Sequence, residues 1–224
     1  MPLSLDVRPM ILALATLAAA PAAPAAAQLT VEPFFKGGTM AWDQLASIGG
    51  HKSLVGTGLV GTLSLRRVGI GLEAERWWLS EGLDDDAGYI PRDGHHFRSH
   101  VQYALADRSV RLGPFAGVGY HRWYRRAAAV DWESLRFFYA WVGVGAETEG
   151  GYIRAAFATP FGGSTDTHLT PRRKLGFISE GGLRARRLSL GLFYQHFGLQ
   201  DPDAKAVQAG VLIGYRLGPS PTRH

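Results

Sequence analysis

The chain has 224 residues and no cysteine, and 46% of its residues are hydrophobic. This length suits a single all-β domain, and the lack of cysteine excludes a disulfide-stapled scaffold. The formal net charge is +5, from 24 lysines and arginines against 19 aspartates and glutamates. These cations are scattered and form no run with interleaved aromatic residues, which excludes the nucleic-acid-binding classes.

The first 27 residues have the layout of a cleavable export signal. Arg8 supplies a positive charge, an apolar run follows it, and Ala25-Ala26-Ala27 provide a small-residue cleavage site. An uncleaved membrane anchor is the alternative, but Pro21 and Pro24 interrupt the apolar run. We therefore predict a signal peptide over 1–27 and export of the remaining chain through the inner membrane.

Ten segments after the signal alternate between apolar and polar residues with the period of a β-strand. We predict ten strands, at 29–38, 53–66, 68–80, 95–106, 110–125, 134–147, 151–160, 173–184, 187–198 and 206–217. An eight-stranded fold would follow if two of these segments were not strands. The loop 39–52 is expected to contain a short helix from Trp42 to Ile48.

The predicted connections alternate between short and long. At most three residues join the second strand to the third, the fourth to the fifth, the sixth to the seventh and the eighth to the ninth. Longer loops lie at the opposite end: 39–52, 81–94, 126–133, 161–172 and 199–205. Transmembrane barrels sort their loops in this way, with short periplasmic turns. After residue 27 no apolar stretch reaches the ~20 residues of a transmembrane helix. The sequence therefore predicts an antiparallel up-and-down transmembrane β-barrel over 28–217, with a short periplasmic tail over 218–224.

The two faces of the predicted strands differ in chemistry. One face is apolar and carries aromatic residues near the strand ends, which we assign to the membrane interfaces: Trp78, Tyr124, Tyr194 and Tyr215. The other face is polar and rich in glycine, which suits a narrow lumen. A lipocalin-like barrel or an exported sandwich, with the apolar face turned inward, is the soluble alternative.

Charged residues on the polar face must pair or be hydrated when they are enclosed. We predict a polar network in the lumen formed by Glu32, Lys36, Glu73, Glu75, Arg98, His100, His121, Arg154 and Glu180. A glutamate of the third strand is expected to pair with Arg98 or His100 of the fourth. The network would fill a narrow barrel, and the competing interpretation is a gated or selective pore.

Taken together, the export signal, the ten alternating strands, the sorted loops and the final VLIGYRL resemble the small outer-membrane β-barrel proteins of Gram-negative bacteria. That family commonly ends its chain on the aromatic residue of the last strand, whereas here the tail 218–224 follows. The resemblance implies a location in the cell outer membrane. It also implies contacts with outer-membrane lipid, lipopolysaccharide and the barrel-assembly machinery, and no cofactor or metal. The implied role is structural or surface-interacting and not enzymatic, with a narrow porin-like pore as a variant of it.

Two of the predicted outer loops resemble the active site of the omptin family of outer-membrane proteases. They contain Asp84-Asp85-Asp86 and Asp166-Thr167-His168. The resemblance implies that Asp84 and Asp86 form a carboxylate pair, and that Asp166 orients the base His168. Such a base removes a proton from the attacking water. An outer-membrane endopeptidase is therefore the alternative function, although Asp-rich loops are also common as solvated turns.

Overall fold

The computed structural model of the chain describes residues 27–43, 49–80, 91–107, 110–127, 131–165, 175–198 and 205–217. These ranges contain the strands β1 (Ala27–Asp43), β2 (Gly49–Leu65), β3 (Val68–Leu79), β4 (Pro91–Tyr103), β5 (Ala106–Asp107), β6 (Arg111–Ala127), β7 (Asp131–Thr148), β8 (Gly151–Thr165), β9 (Gly176–Ala185), β10 (Leu188–Gly198) and β11 (Lys205–Tyr215). No helix in the described part of the chain is long and apolar enough to cross a membrane.

The strands form a closed antiparallel barrel. Consecutive strands pair with each other, and β11 returns to pair with β1. β5 is a two-residue strand that pairs only with the start of β6, so β4 pairs directly with β6 in the barrel wall. Ten strands therefore close the wall, which confirms the predicted ten-stranded up-and-down barrel, and the eight-stranded alternative is wrong.

Several strands extend beyond the alternating apolar segments that predicted them. Asp43 at the end of β1 pairs with Gly49 of β2 and with Lys205 of β11. The helix predicted from Trp42 is therefore wrong at its first two residues, and 44–48 lie outside the described residues. Backbone hydrogen bonding continues the ladder where the side chains no longer alternate, so hydrophobic periodicity underestimates the strand length.

The connections are sorted between the two ends of the barrel. The turns 66–67, 149–150 and 186–187 lie at one end, together with the start of β1 and the end of β11, and we call this the turn end. At the opposite end lie the end of β3 at Leu79, the start of β4 at Pro91 and the other strand ends that alternate with those turns, and we call it the loop end. The connection 128–130 is shorter than predicted, because β6 and β7 extend toward each other.

Alternation along each strand separates an inner from an outer face. On β3, Trp77 is 0% exposed and points inward, whereas its neighbour Trp78 is 39% exposed and points outward. All ten wall strands expose large hydrophobic side chains, among them Phe35, Val55, Trp78, Val101, Val118, Val142, Phe157, Leu183, Leu192 and Ile213. We call this outer surface the apolar belt.

Glycines on the inner face leave space for large lumen side chains. A Cβ atom on Gly119 would collide with the ring of Tyr139, and one on Gly71 would collide with the ring of His100. At these positions the inward-facing glycine makes room for a large side chain of the adjacent strand, which lies over it.

Candidate functional site in the barrel lumen

The centre of the lumen is occupied by an ion-pair network around Arg98. Its guanidinium donates to Glu73 Oε2 from Nε at 2.8 Å and from Nη2 at 2.6 Å, and Nη2 also donates to Glu180. Arg154 Nη1 donates to the other oxygen of Glu180 at 3.1 Å. Glu73 lies on β3 next to β4, whereas Glu180 lies on β9, which is not a neighbour of β4. The Arg98–Glu180 pair therefore crosses the lumen.

A second ion pair joins Lys36 of β1 to Glu75 of β3. The Lys36 ammonium donates to Glu75 and to Gln208 Oε1, the latter at 3.4 Å, and lies 4.9 Å from the centre of the Phe193 ring. Both charged side chains are almost completely buried. The attraction between the two charges offsets the free-energy cost of removing each of them from water. An isolated charge at this depth would have no such compensation.

Toward the turn end the lumen carries a looser set of charges. Arg184 Nη1 donates to Glu147 Oε1, and Ser189 Oγ donates to Glu32. Arg216 reaches both carboxylates, with nitrogen–oxygen distances of 3.9 Å to Glu32 and 3.9 Å to Glu147. These longer contacts and the partial exposure of Arg216 mark this end of the lumen as the better hydrated one.

A cavity of about 60 Å³ extends between this turn-end set and the central ion pairs. Its lining includes Glu32, Arg216, Arg154 and Tyr152. Its charged and polar lining makes the cavity suited to holding water.

The loop-end half of the lumen is filled by aromatic and histidine rings, which we call the aromatic cluster: Trp77, His96, His121, Trp123, Phe137, Tyr139 and Phe197. All seven side chains are at most 2% exposed. His121 makes ring contacts with five other members, the nearest being His96 at 4.0 Å and Phe197 at 4.9 Å between ring centres. Because the rings come from β3, β4, β6, β7 and β10, they close the lumen from several sides.

Two histidines form the polar centre of the aromatic cluster. The rings of His96 and His121 are stacked with an interplanar angle of 6°. His96 Nε2 lies 2.5 Å from the Tyr139 hydroxyl, and the indole N–H of Trp123 donates to His121 Nδ1 at 3.4 Å. Since an indole nitrogen can only donate, His121 Nδ1 accepts, and a neutral His121 carries its proton on Nε2.

Three potential metal ligands meet between the central ion pairs and the aromatic cluster. One ring nitrogen of His96 and one oxygen each of Glu73 and Glu75 lie within 4.8 Å of one another. Carboxylate and imidazole groups at this separation can hold a divalent cation. Lys36 and Arg98, however, already neutralise the two carboxylates. We therefore interpret the group as part of the ion-pair network.

The structure brings most of the predicted lumen residues together. The residues that lie in ion pairs are Glu32, Lys36, Glu73, Glu75, Arg98, Arg154 and Glu180. The Glu73–Arg98 pair is one of the pairings expected between the third and fourth strands. The two predicted histidines behave differently, because His100 packs against the rings of Phe115 and Trp141 and His121 lies in the aromatic cluster.

Three of the four residues assigned to the membrane interfaces have described side chains, and all three face outward. Trp78, Tyr194 and Tyr215 are 39%, 38% and 42% exposed. For Tyr124 the structure describes only the backbone, which pairs with Asp93.

The four residues of the endopeptidase alternative, Asp84, Asp86, Asp166 and His168, lie outside the described residues. That alternative therefore stays a prediction. The proposed signal peptide and the tail 218–224 also lie outside the described ranges, apart from Ala27 at the start of β1.

Apart from His121, the members of the aromatic cluster were not predicted as site residues, and neither were the turn-end pairs of Glu147. A signal for the cluster was present, because Trp77 has the same strand parity as Glu73 and Glu75, and therefore had to share the lumen with them. Its contacts with rings from β6, β7 and β10 depend on how distant strands are placed around the barrel, which the parity of one strand does not specify.

No protein-family model matches the sequence, and no curated protein matches it significantly. Similar solved structures are outer-membrane β-barrels. The outer-membrane protease OmpT from Escherichia coli has a TM-score of 0.42 and 8% identity, over 85% of this chain and 97% of that one. The COG4313 outer-membrane channel from Pseudomonas putida F1 has a TM-score of 0.39 and 8% identity, over 87% and 97%. The translocator domain of the autotransporter NalP from Neisseria meningitidis has a TM-score of 0.37 and 10% identity, over 95% of each chain.

Proposed function

We propose that the chain is an outer-membrane β-barrel protein of a Gram-negative bacterium, with a structural or surface-interaction role and a lumen closed to solutes. The observation that carries the proposal is the apolar belt, to which all ten wall strands contribute, around a lumen that contains the charged side chains. A water-soluble barrel has the opposite arrangement, because its apolar side chains form the core. A continuous exposed apolar surface around a barrel is the arrangement that suits lipid.

Within this proposal the turn end faces the periplasm and the loop end faces the outside of the cell. Short periplasmic turns and longer outer loops are typical of such barrels. The proposal includes export directed by the segment 1–27, insertion by the barrel-assembly machinery, and a periplasmic position for the tail 218–224.

The closed lumen is supported by what fills it. The Arg98–Glu180 pair crosses its centre, and the aromatic cluster fills the half next to the loop end. A ten-stranded wall encloses much less space than the 16–18 strands of wide channels. A solute would have to displace both layers to pass.

Lipid contact can be tested by tryptophan fluorescence, because Trp77 and Trp78 are adjacent but face opposite sides. We expect brominated acyl chains to quench the refolded barrel in vesicles, and Trp78→Phe to remove a large part of that quenching. Trp77→Phe is the matched control, and the amount of fluorescence that the brominated chains remove should be nearly the same in this variant as in the native barrel. Equal effects of the two substitutions would contradict the outward lipid face.

The closed state can be tested by conductance in a planar bilayer. The native barrel should show no steady conductance steps, whereas the triple variant Trp77→Ala, Phe137→Ala and Phe197→Ala should show them, because it removes three rings of the aromatic cluster. A matched triple variant on the apolar belt, Val101→Ala, Val118→Ala and Val142→Ala, should stay closed. Steady conductance of the native barrel, equal to that of the ring variant, would contradict the closed lumen.

A further inference from the structure

The charged side chains that line the cavity in the lumen differ in how closely they are paired. Toward the centre of the barrel, Lys36 and Arg98 donate hydrogen bonds to their carboxylate partners. At the turn end, Arg216 lies 3.9 Å from Glu32 and 3.9 Å from Glu147, which is too long for a hydrogen bond. We call Glu32, Arg216 and Glu147 the mouth triad. Its guanidinium attracts both carboxylates without donating a hydrogen bond to either.

The mouth triad is accessible from the turn end of the barrel. Its side chains are 19%, 16% and 24% exposed, compared with 3% for Glu75 in the central ion pairs. Arg216 directly follows the last residue of β11, and Glu147 is the last residue but one of β7. The aromatic cluster fills the lumen on the other side of the cavity. A small solute can therefore enter the cavity from the turn end without passing through the barrel.

The mouth triad keeps hydrogen-bonding capacity for a ligand. Glu32 accepts a hydrogen bond from Ser189 at Oε1, and Glu147 accepts one from Arg184 at Oε1. Within the described part of the chain, Oε2 of each carboxylate is left to accept another bond. The Arg216 guanidinium carries five N–H donors, and its nearest carboxylate oxygens lie beyond hydrogen-bond distance. Donors and acceptors of full charge therefore lie side by side at the mouth of the cavity.

The balance of charge in the cavity selects the class of ligand. Among the described residues that line it, five carboxylates face five basic side chains. A ligand with a net charge would leave that charge uncompensated in a partly buried site, which costs free energy. A ligand that carries one charge of each sign keeps the balance. It also forms charge-assisted hydrogen bonds, which are stronger than those of a neutral polar molecule.

We propose that the mouth triad binds a small zwitterion of the α-amino acid class. The ligand carboxylate accepts hydrogen bonds from Arg216, and the ligand ammonium group donates to Glu32 and Glu147. One carbon separates the two charges of such a ligand, which matches a guanidinium that has a carboxylate 3.9 Å away on each of two strands. Binding itself goes beyond the proposed function. Only the periplasmic origin of the solute rests on that function, because it requires the turn end to face the periplasm.

The test is equilibrium dialysis of the refolded full-length barrel, in a non-ionic detergent at neutral pH, against radiolabelled glycine. We expect one saturable site for glycine, and binding about tenfold weaker for acetate and for methylammonium, which each carry only one of its charges. Arg216→Gln should weaken glycine binding about tenfold. The matched control is Arg187→Gln, which removes the same charge from an exposed turn at the same end and should keep the native affinity.

A second variant separates ligand binding from a structural role. Glu147→Gln keeps an oxygen that can accept from Arg184, but it leaves the cavity with an excess positive charge. Glycine binding should weaken and acetate binding should strengthen, so that the preference between the two ligands reverses. A residue that only supported the fold would change both affinities in the same direction.

Failure of the native barrel to bind glycine would overturn the proposal, as would equal affinities for glycine and acetate. Native affinity in Arg216→Gln, or an unchanged preference for glycine in Glu147→Gln, would also overturn it. The change in gel mobility on boiling shows which variants are folded, and Glu147→Gln decides the matter if Arg216→Gln is not. A native barrel that shows the mobility change but binds no glycine contradicts the ligand site and leaves the proposed function standing.

Discussion

At the scale of single residues, Arg98 is the group on which the central lumen depends. It contacts one glutamate of the neighbouring strand and another across the barrel, and its guanidinium carbon also lies 5.3 Å from the centre of the Trp141 ring. The Arg98 side chain is only 5% exposed. Its charge is therefore balanced by the two carboxylates and hardly by water.

Replacing Arg98 with leucine should destabilise the barrel by about 3–5 kcal/mol, because Glu73 loses its partner and Glu180 keeps only Arg154. The free energy of unfolding can be measured by urea titration of the barrel folded in micelles. Arg187→Leu, at an exposed turn, is the control and should change that energy by less than about 0.5 kcal/mol. Equal losses for the two variants would show that the central ion pairs do not stabilise the fold.

At the scale of a strand, the alternation of residues along β7 determines which side chains face the lumen and which face outward. Tyr139 and Trp141 point into the lumen and are buried, whereas Val142 and Val144 are about 60% exposed on the outside. Their order in the sequence suffices to predict which residues share a face. It does not predict the ends of β7, because the ladder continues to Asp131 through backbone pairing with β6.

On the outer face of β7, one substitution should have a large effect on stability if the surface faces lipid and a small effect if it faces water. Val142→Arg, at a position 59% exposed, should cost about 2–4 kcal/mol in the free energy of unfolding if the side chain faces the bilayer. Glu149→Arg, in the exposed turn after β7, should cost less than about 0.5 kcal/mol. Urea titration in vesicles measures both. A Val142→Arg cost as small as that of the control would mean that this surface faces water.

At the scale of the whole molecule, the barrel is apolar outside, and its lumen combines buried ion pairs with the aromatic cluster. The ten strands and the residues that share each face follow from alternation, and the neighbouring pair Glu73–Arg98 follows from strand order. Contacts across the lumen, such as Arg98–Glu180 and the ring contacts of Phe197, could not be predicted in the same way. They depend on the register summed over several strands, and an error of one residue at any pairing would move them.

The central claim is that the apolar belt lies in the outer membrane. It is tested most directly by separating inner from outer membranes of cells that express the chain, and by comparing gel mobility of the outer fraction with and without boiling. We expect the chain in the outer-membrane fraction, with an unboiled species that migrates differently from the boiled one because the closed barrel resists detergent. A chain recovered in the soluble periplasmic fraction, with the same mobility before and after boiling, would contradict the account.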